Sequence, residues 1–166
     1  MYIQKYLARH TMTLYIRRLR EADLPSVLKI SKWLHENSRY KVFSYNEDKV
    51  RNLLSLSLKP NSPVYVSVAL KQGSDDILGY FHGYVDHHYF SDMKYAGDWA
   101  VCILPEYRRH APKILKQMVQ AFEKWGRKNG AEEISIGAST EAYGTGYKKF
   151  LTRMGYRDVG FLAVKG

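Results

Sequence analysis

One carboxylate stands in an apolar stretch: Asp98 directly precedes Trp99, Val101 and Ile103. A charge is out of place in a simply buried strand. It therefore marks either a group that moves protons or a solvent-facing strand start. Ten residues further on, Arg108-Arg109-His110-Ala111-Pro112-Lys113 crowds cationic side chains at the entrance to an amphipathic stretch. Unsatisfied N–H groups at a helix start lie at its positive dipole end and bind phosphate well. Arg108, Arg109 and Lys113 can add charge-assisted hydrogen bonds, although Pro112 brings no N–H of its own. The plain alternative is a solvated basic cap on an ordinary helix. His87 and His88 have the intrinsic pKa of a base, but a surface pair in a Tyr-rich turn accounts for them equally well. Cys102 alternates with Val101 and Ile103 and reads as a small buried apolar residue rather than a nucleophile.

The elements that must position these residues follow from periodicity. Thr13 to Leu19 predicts a strand, and Glu21-Ala22-Asp23 opens a helix with acidic residues at its positive end and Pro25 in the first turn. Asn46 caps a second helix that stops before Pro60. Pro63–Leu70 and Ile77–Tyr89 read as strands around the turn Gly73-Ser74-Asp75-Asp76. A further strand runs from about Tyr95 to Leu104. The longest helix runs from Pro112 to Asn129, with Leu115, Met118, Val119, Phe122 and Trp125 as its stripe and Asn129-Gly130 as its stop. Glu133–Ala138 is a short strand, Tyr147 to Met154 a short helix ended by Gly155, and Tyr156 to Val164 a closing strand. The order β-α-α-β-β-β-α-β-α-β predicts an α/β (α+β) fold around a mostly antiparallel sheet. Residues 1–11 read as an N-terminal extension, with Met12 as an internal start, and 12–166 as a single domain.

Composition sets the limits. The 166 residues carry 26 Lys and Arg against 16 Asp and Glu, a net charge of +10, and 45% of them are apolar. That suits one globular domain with an anionic partner: nucleic acid, a membrane surface or a small phosphorylated ligand. No apolar run approaches the roughly 20 residues that cross a bilayer. The N-terminus is polar and basic, which predicts no secretory leader. One cysteine and six dispersed histidines predict neither disulfide nor metal site, and a cytoplasmic setting fits best.

The segment Val101-Cys102-Ile103-Leu104-Pro105-Glu106-Tyr107-Arg108-Arg109, running from strand into long helix, resembles the acetyl-CoA turn of the GNAT superfamily of N-acetyltransferases. Three further passages are similar to that family in the right order. Ile16 to Asp23 looks like its first strand and helix start. His35 to Tyr40 with Asn46 to Leu54 looks like the acceptor side of a subgroup common in phage-encoded and bacterial members. Phe150 to Tyr156 looks like its closing Tyr-x-x-x-Gly-Phe pattern. The family's Arg/Gln-x-x-Gly-x-Gly/Ala loop lacks both glycines here, so the cofactor motif is degenerate.

The resemblance implies acetyl transfer from acetyl-CoA to a primary amine by direct attack in a ternary complex, without metal. It implies Asp98 as general base, with Glu36 in the acceptor loop as the other carboxylate. Tyr147 stands one turn before Leu151, which occupies the family's usual Tyr position, and is the implied acid toward sulfur. Val101, Cys102 and Ile103 would supply the amide that polarises the thioester carbonyl. Arg108, Arg109, His110, Ala111 and Lys113 would meet the coenzyme's phosphates. The alternative is a non-catalytic GNAT-like module that binds nucleic acid or virion proteins through its basic surface, virion-associated if phage-encoded. A homodimer stays open, and a membrane partner is not expected.

Overall fold

The computed structural model describes residues 13–137 and 144–165. Five strands make one sheet in the order β1-β2-β3-β4-β5: β1 (Leu14–Arg18), β2 (Val64–Lys71), β3 (Ile77–His87), β4 (Lys94–Ile103) and β5 (Ala131–Ser135). The first four pair antiparallel, and β4 with β5 is parallel. Alternating side chains make this sheet two-faced. Helices α1 (Leu24–Glu36) and α2 (Glu47–Leu56) cover one face, where Val27, Leu28, Leu54, Val66, Val68, Tyr80 and Cys102 form a core. Helix α3 (Ala111–Lys128) covers the other, with Phe81, Val101, Ile103, Ile114, Met118 and Phe122 buried together. Helix α4 (Gly144–Arg153) lies on the α3 side, where its Phe150 packs against that core.

Local chemistry explains the helix ends. The Asn46 side chain accepts from the Lys49 amide at 2.9 Å, capping α2 as its residue type predicts. Asp23 accepts from the Arg20 amide at 2.8 Å and receives both Arg17 guanidinium nitrogens, at 2.5 and 2.9 Å. This pair ties β1 to the entry of α1. Gly130, at φ +87°, lets the chain leave α3 through the left-handed region.

Four expectations need correction. Tyr156 to Val164 forms no strand: the closing alternation has no partner strand among the described residues and lies outside the sheet. The long helix does not start directly after the strand, because a 3-10 turn over Pro105–His110 comes first. Its buried stripe begins at Ile114, while Leu115 is only half-buried. β5 also starts at Ala131 and ends at Ser135, earlier than the spacing suggested. Residues 1–11, Met12 and Ala138 lie outside the described residues.

Candidate active site

Strands β4 and β5 form a fork. Their parallel pairing runs only from Lys94↔Ala131 to Gly97↔Ser135. Beyond Gly97, β4 continues to Ile103 paired, among the described residues, with β3 alone. The Leu104 amide donates to the Leu78 carbonyl at 2.9 Å. Antiparallel alternation therefore sends the Cys102 amide toward β3 and the Val101 and Ile103 amides toward the open side of the fork. The three residues expected to present amides thus divide. Val101 and Ile103 face the opening, whereas Cys102 is wholly buried against the α1–α2 core.

A β-bulge sits at the crotch of the fork. His82 pairs with Ala100 and Gly83 with Asp98, so Trp99 is the extra residue. Ala96 packs in the α3-side core and Ala100 against the α1-side core, although they are four residues apart. A regular strand would put both on one face. The bulge thus turns Asp98 to the α3 and α4 side, where its carboxylate accepts from the Gly137 amide at 2.7 Å. This hydrogen bond spans the gap between the diverging strands. Burial pushes the Asp98 carboxyl up to about 6, against the opposing pull of that amide.

Tyr147 on α4 is buried, stacks on Phe150 and lies near enough to Asp98 to feel its charge. Burial first, and the carboxylate second, raise the phenol well above its ordinary value, so Tyr147 keeps its proton. Leu151 is buried on the same helix. Asp98 and Tyr147 are therefore brought together. Glu36 is not drawn into this group. It is exposed at the end of α1 and faces Lys32 at 3.9 Å on the helix surface.

On the other sheet face, Trp99 stacks on Tyr84 with ring centroids 4.8 Å apart and meets His82 edge-on at 4.8 Å. A Cβ on Gly97 would lie 2.8 Å from the Tyr84 ring, so glycine is what lets that ring approach β4. His82 is buried, its Nε2 lacks a hydrogen-bond partner among the described residues, and burial lowers its pKa to about 4. It is neutral at physiological pH. A cleft of about 440 Å³ opens beside this stack, lined among others by Tyr84, Asp86 and Trp99. Asp86 and His87 are exposed at the end of β3.

Arg108, Arg109 and Lys113 are exposed around the start of α3, with His110 and Ala111 half-buried between them. Arg109 donates to the His110 ring at 3.1 Å. The Ala111 amide is already used by the Arg108 carbonyl, and Pro112 has none, so charge rather than backbone dominates this end. Among the described residues no carboxylate pairs with Arg108, Arg109 or Lys113. Nor, among them, do three His, Cys, Asp or Glu side chains gather as a metal would require. No helix of the described residues is long and apolar enough to cross a membrane.

Sequence reasoning missed the bulge, the Gly137 bond, His82 and the Trp99–Tyr84 stack. The only trace of them was the phase error between Ala96 and Val101, both inward although five residues apart.

Comparison with known proteins agrees with this architecture. An aminoglycoside acetyltransferase from an uncultured soil metagenomic sample, solved with sisomicin, shares 23% identity; 92% of this chain and 95% of that one superpose, at a TM-score of 0.65. AAC(6')-Iy, solved with the bisubstrate analogue CoA-S-monomethyl-acetylneamine, shares 17% identity over 93% and 97%, with a TM-score of 0.73. A Bacillus halodurans protein described as a transcriptional regulator shares 16% over 93% and 99%, with a TM-score of 0.72. At these identities the likeness speaks for the fold. No curated protein sequence matches the chain. The acetyltransferase (GNAT) family pattern, however, matches residues 27–156, from the first turn of α1 to the residue after Gly155. With most of its length matched and its fold shared, the chain belongs to the GNAT acetyltransferase family.

Proposed function

We propose that this protein carries acetyl from acetyl-CoA to a primary amine by direct attack, with both substrates bound together. The observation that carries this reading is Asp98, a carboxylate of raised pKa held at the crotch of the β4–β5 fork by the Gly137 amide. The residues present suit the coenzyme. Val101 directs its amide to the side of β4 away from β3, where an acyl carbonyl finds a donor. Arg108, Arg109, His110 and Lys113, beside Ala111, offer cations without protein carboxylate partners for phosphates. When bound, the coenzyme supplies an acyl carbon activated as a thioester.

Asp98 accepts a proton from the incoming ammonium, which frees the nitrogen lone pair. The nitrogen attacks the acyl carbon while the Val101 N–H steadies the charge gathering on its oxygen. A C–N bond forms and the C–S bond breaks. The nitrogen releases its second proton to solvent, and the Tyr147 hydroxyl gives its proton to the departing sulfur and regains one from solvent. Glu36 takes no part in this scheme.

A cationic acceptor is in keeping with the aminoglycoside acetyltransferases among the similar structures. Calorimetric titration with CoA, followed by a thiol-release assay over a panel of polyamines and neutral amines, tests the proposal. Binding and turnover with multiply charged amines are expected. No heat with CoA at millimolar concentration would overturn it.

A further inference from the structure

Every exposed side chain of α3 after Pro112 belongs to a lysine, an arginine or a glutamine. Lys113 is already given to the coenzyme. Beyond it, Lys116, Gln120, Lys124 and Arg127 recur at steps of four, four and three, which keeps them on one side of the helix. Lys128 follows one turn after Lys124. At 1.5 Å per residue the row is about 18 Å long. The helix's own acid, Glu123, is half-buried and accepts the Tyr156 hydroxyl at 2.7 Å. Glu132 and Glu133 of β5 border the same trough as Lys124 and Arg127. Among the described residues neither they nor any other carboxylate forms an ion pair with the row. The excess along it therefore stays positive.

Helix stability does not ask for this pattern. Like charges three or four residues apart, as in Lys124 with Arg127 and Lys128, repel and weaken a helix. The other face of the sheet is built the usual way: α1 sets Glu36 four residues after Lys32, and α2 sets Arg51 four after Glu47. The negative end of the α3 dipole welcomes Arg127 and Lys128, but it fades within the last turn and reaches neither Lys116 nor Lys124. The row is thus better matched to a partner than to its own helix. A single strand is held by aromatic stacking, and a membrane or a protein by apolar anchors. The exposed row offers neither. It offers cations alone, and phosphate contacts need no more. A duplex carries one phosphate charge per about 1.7 Å of axis, so the row spans about ten of them.

We propose that the outer face of α3, through Lys116, Lys124, Arg127 and Lys128, is a docking surface for the phosphate backbone of double-helical nucleic acid, bound without regard to base sequence. DNA and RNA duplexes present the same phosphate chemistry, and the experiment separates them. The inference does not rest on acetyl transfer, and Arg108, Arg109 and Lys113 are left out of its test.

Fluorescence anisotropy of labelled DNA and RNA duplexes, two helical turns long, titrated with the full chain between about 50 and 200 mM salt, reads the proposal directly. Binding of either duplex is expected, with log affinity falling against log salt by about 0.9 for each phosphate met. Lys116→Gln, Lys124→Gln and Lys128→Gln combined should lower that slope by about 2–3 and weaken binding about tenfold or more at low salt. Arg127 is spared because it also donates to the Ala131 carbonyl at 3.0 Å. The triple variant should melt no earlier than the wild type, since like-charge neighbours are relieved. A second triple variant, Lys41→Gln, Lys49→Gln and Lys59→Gln, removes the same charge from exposed lysines of the α1–α2 side; it should bind as the wild type does. No binding of either duplex at low salt would overturn the proposal. An equal loss in both triple variants would overturn it too, leaving only net charge. So would tighter binding to a single strand, to polyglutamate or to anionic vesicles than to either duplex.

Discussion

Replacing Asp98 by Asn keeps an oxygen that can accept from the Gly137 amide and removes the proton acceptor. The variant should keep its fold and its CoA affinity while kcat/KM drops by about 100-fold or more. Asp98→Ala should lose the strand-spanning bond as well and melt earlier. Because the carboxyl sits near 6 through burial, the proposed base is protonated below that pH and ionised above it. The wild-type rate should therefore climb through about pH 6 and level off above. A profile without that inflection, or an unchanged one in Asp98→Asn, would remove Asp98 as base. At the α3 entrance, Arg108→Ala, Arg109→Ala and Lys113→Ala should each weaken CoA binding by about tenfold, the size of one charge-assisted hydrogen bond. Pantetheine, which lacks the nucleotide, should bind all three variants as it binds the wild type.

Helix α3 rides close on the fork. A Cβ on Gly126 would come within 2.9 Å of Ala96 and 3.0 Å of Ile134, one residue on each of the two diverging strands. Gly126→Ala should therefore destabilise by about 1–3 kcal/mol and weaken CoA binding together, read by thermal melts and titration. The β1–α1 junction has its own signature. Asp23 is held below its ordinary value chiefly by the Arg17 guanidinium, so below about pH 4 the unfolded chain binds more protons than the folded one. The stability this pair contributes is complete above that pH and is lost as pH falls through the depressed folded value. Asp23→Asn should flatten the acid limb of a melting-temperature profile. These elements were legible in the sequence where the signal is local. The Asn46 cap, the Asn129-Gly130 stop and the α3 stripe depend on neighbours three or four residues away. The bulge at Trp99 was not legible, because an extra residue in a strand exists only relative to the register of β3. The closing strand failed for the same reason: alternation from Tyr156 to Val164 states a preference, and pairing needs a partner edge.

Over the whole molecule, the +10 charge is spread along the chain, and only a few of these cations gather at the α3 entrance. The rest act at long range on an anionic coenzyme, so CoA association should slow as salt rises, over Debye lengths of about 10 Å at 0.1 M. Stopped-flow binding at increasing ionic strength measures this, with pantetheine as the insensitive control. The positions of Asp98 and the α3 entrance could be read from sequence because family resemblance ordered them along the chain. Gly137, His82 and Tyr84 could not, since each joins the site through contacts between distant strands.

The burial of Asp98, which the Gly137 amide only partly offsets, gives one proton two consequences. Between the ordinary carboxylate value near 4 and the native value near 6, the folded chain holds more protons than the unfolded one. Stability contributed by Asp98 is therefore full below about pH 4, declines as pH rises, and reaches its floor above about pH 6. Activity follows the opposite course over the same titration. The protein should turn over fastest where this carboxyl costs it most, and Asp98→Asn should trade the enzyme's rate for a higher melting temperature at neutral pH.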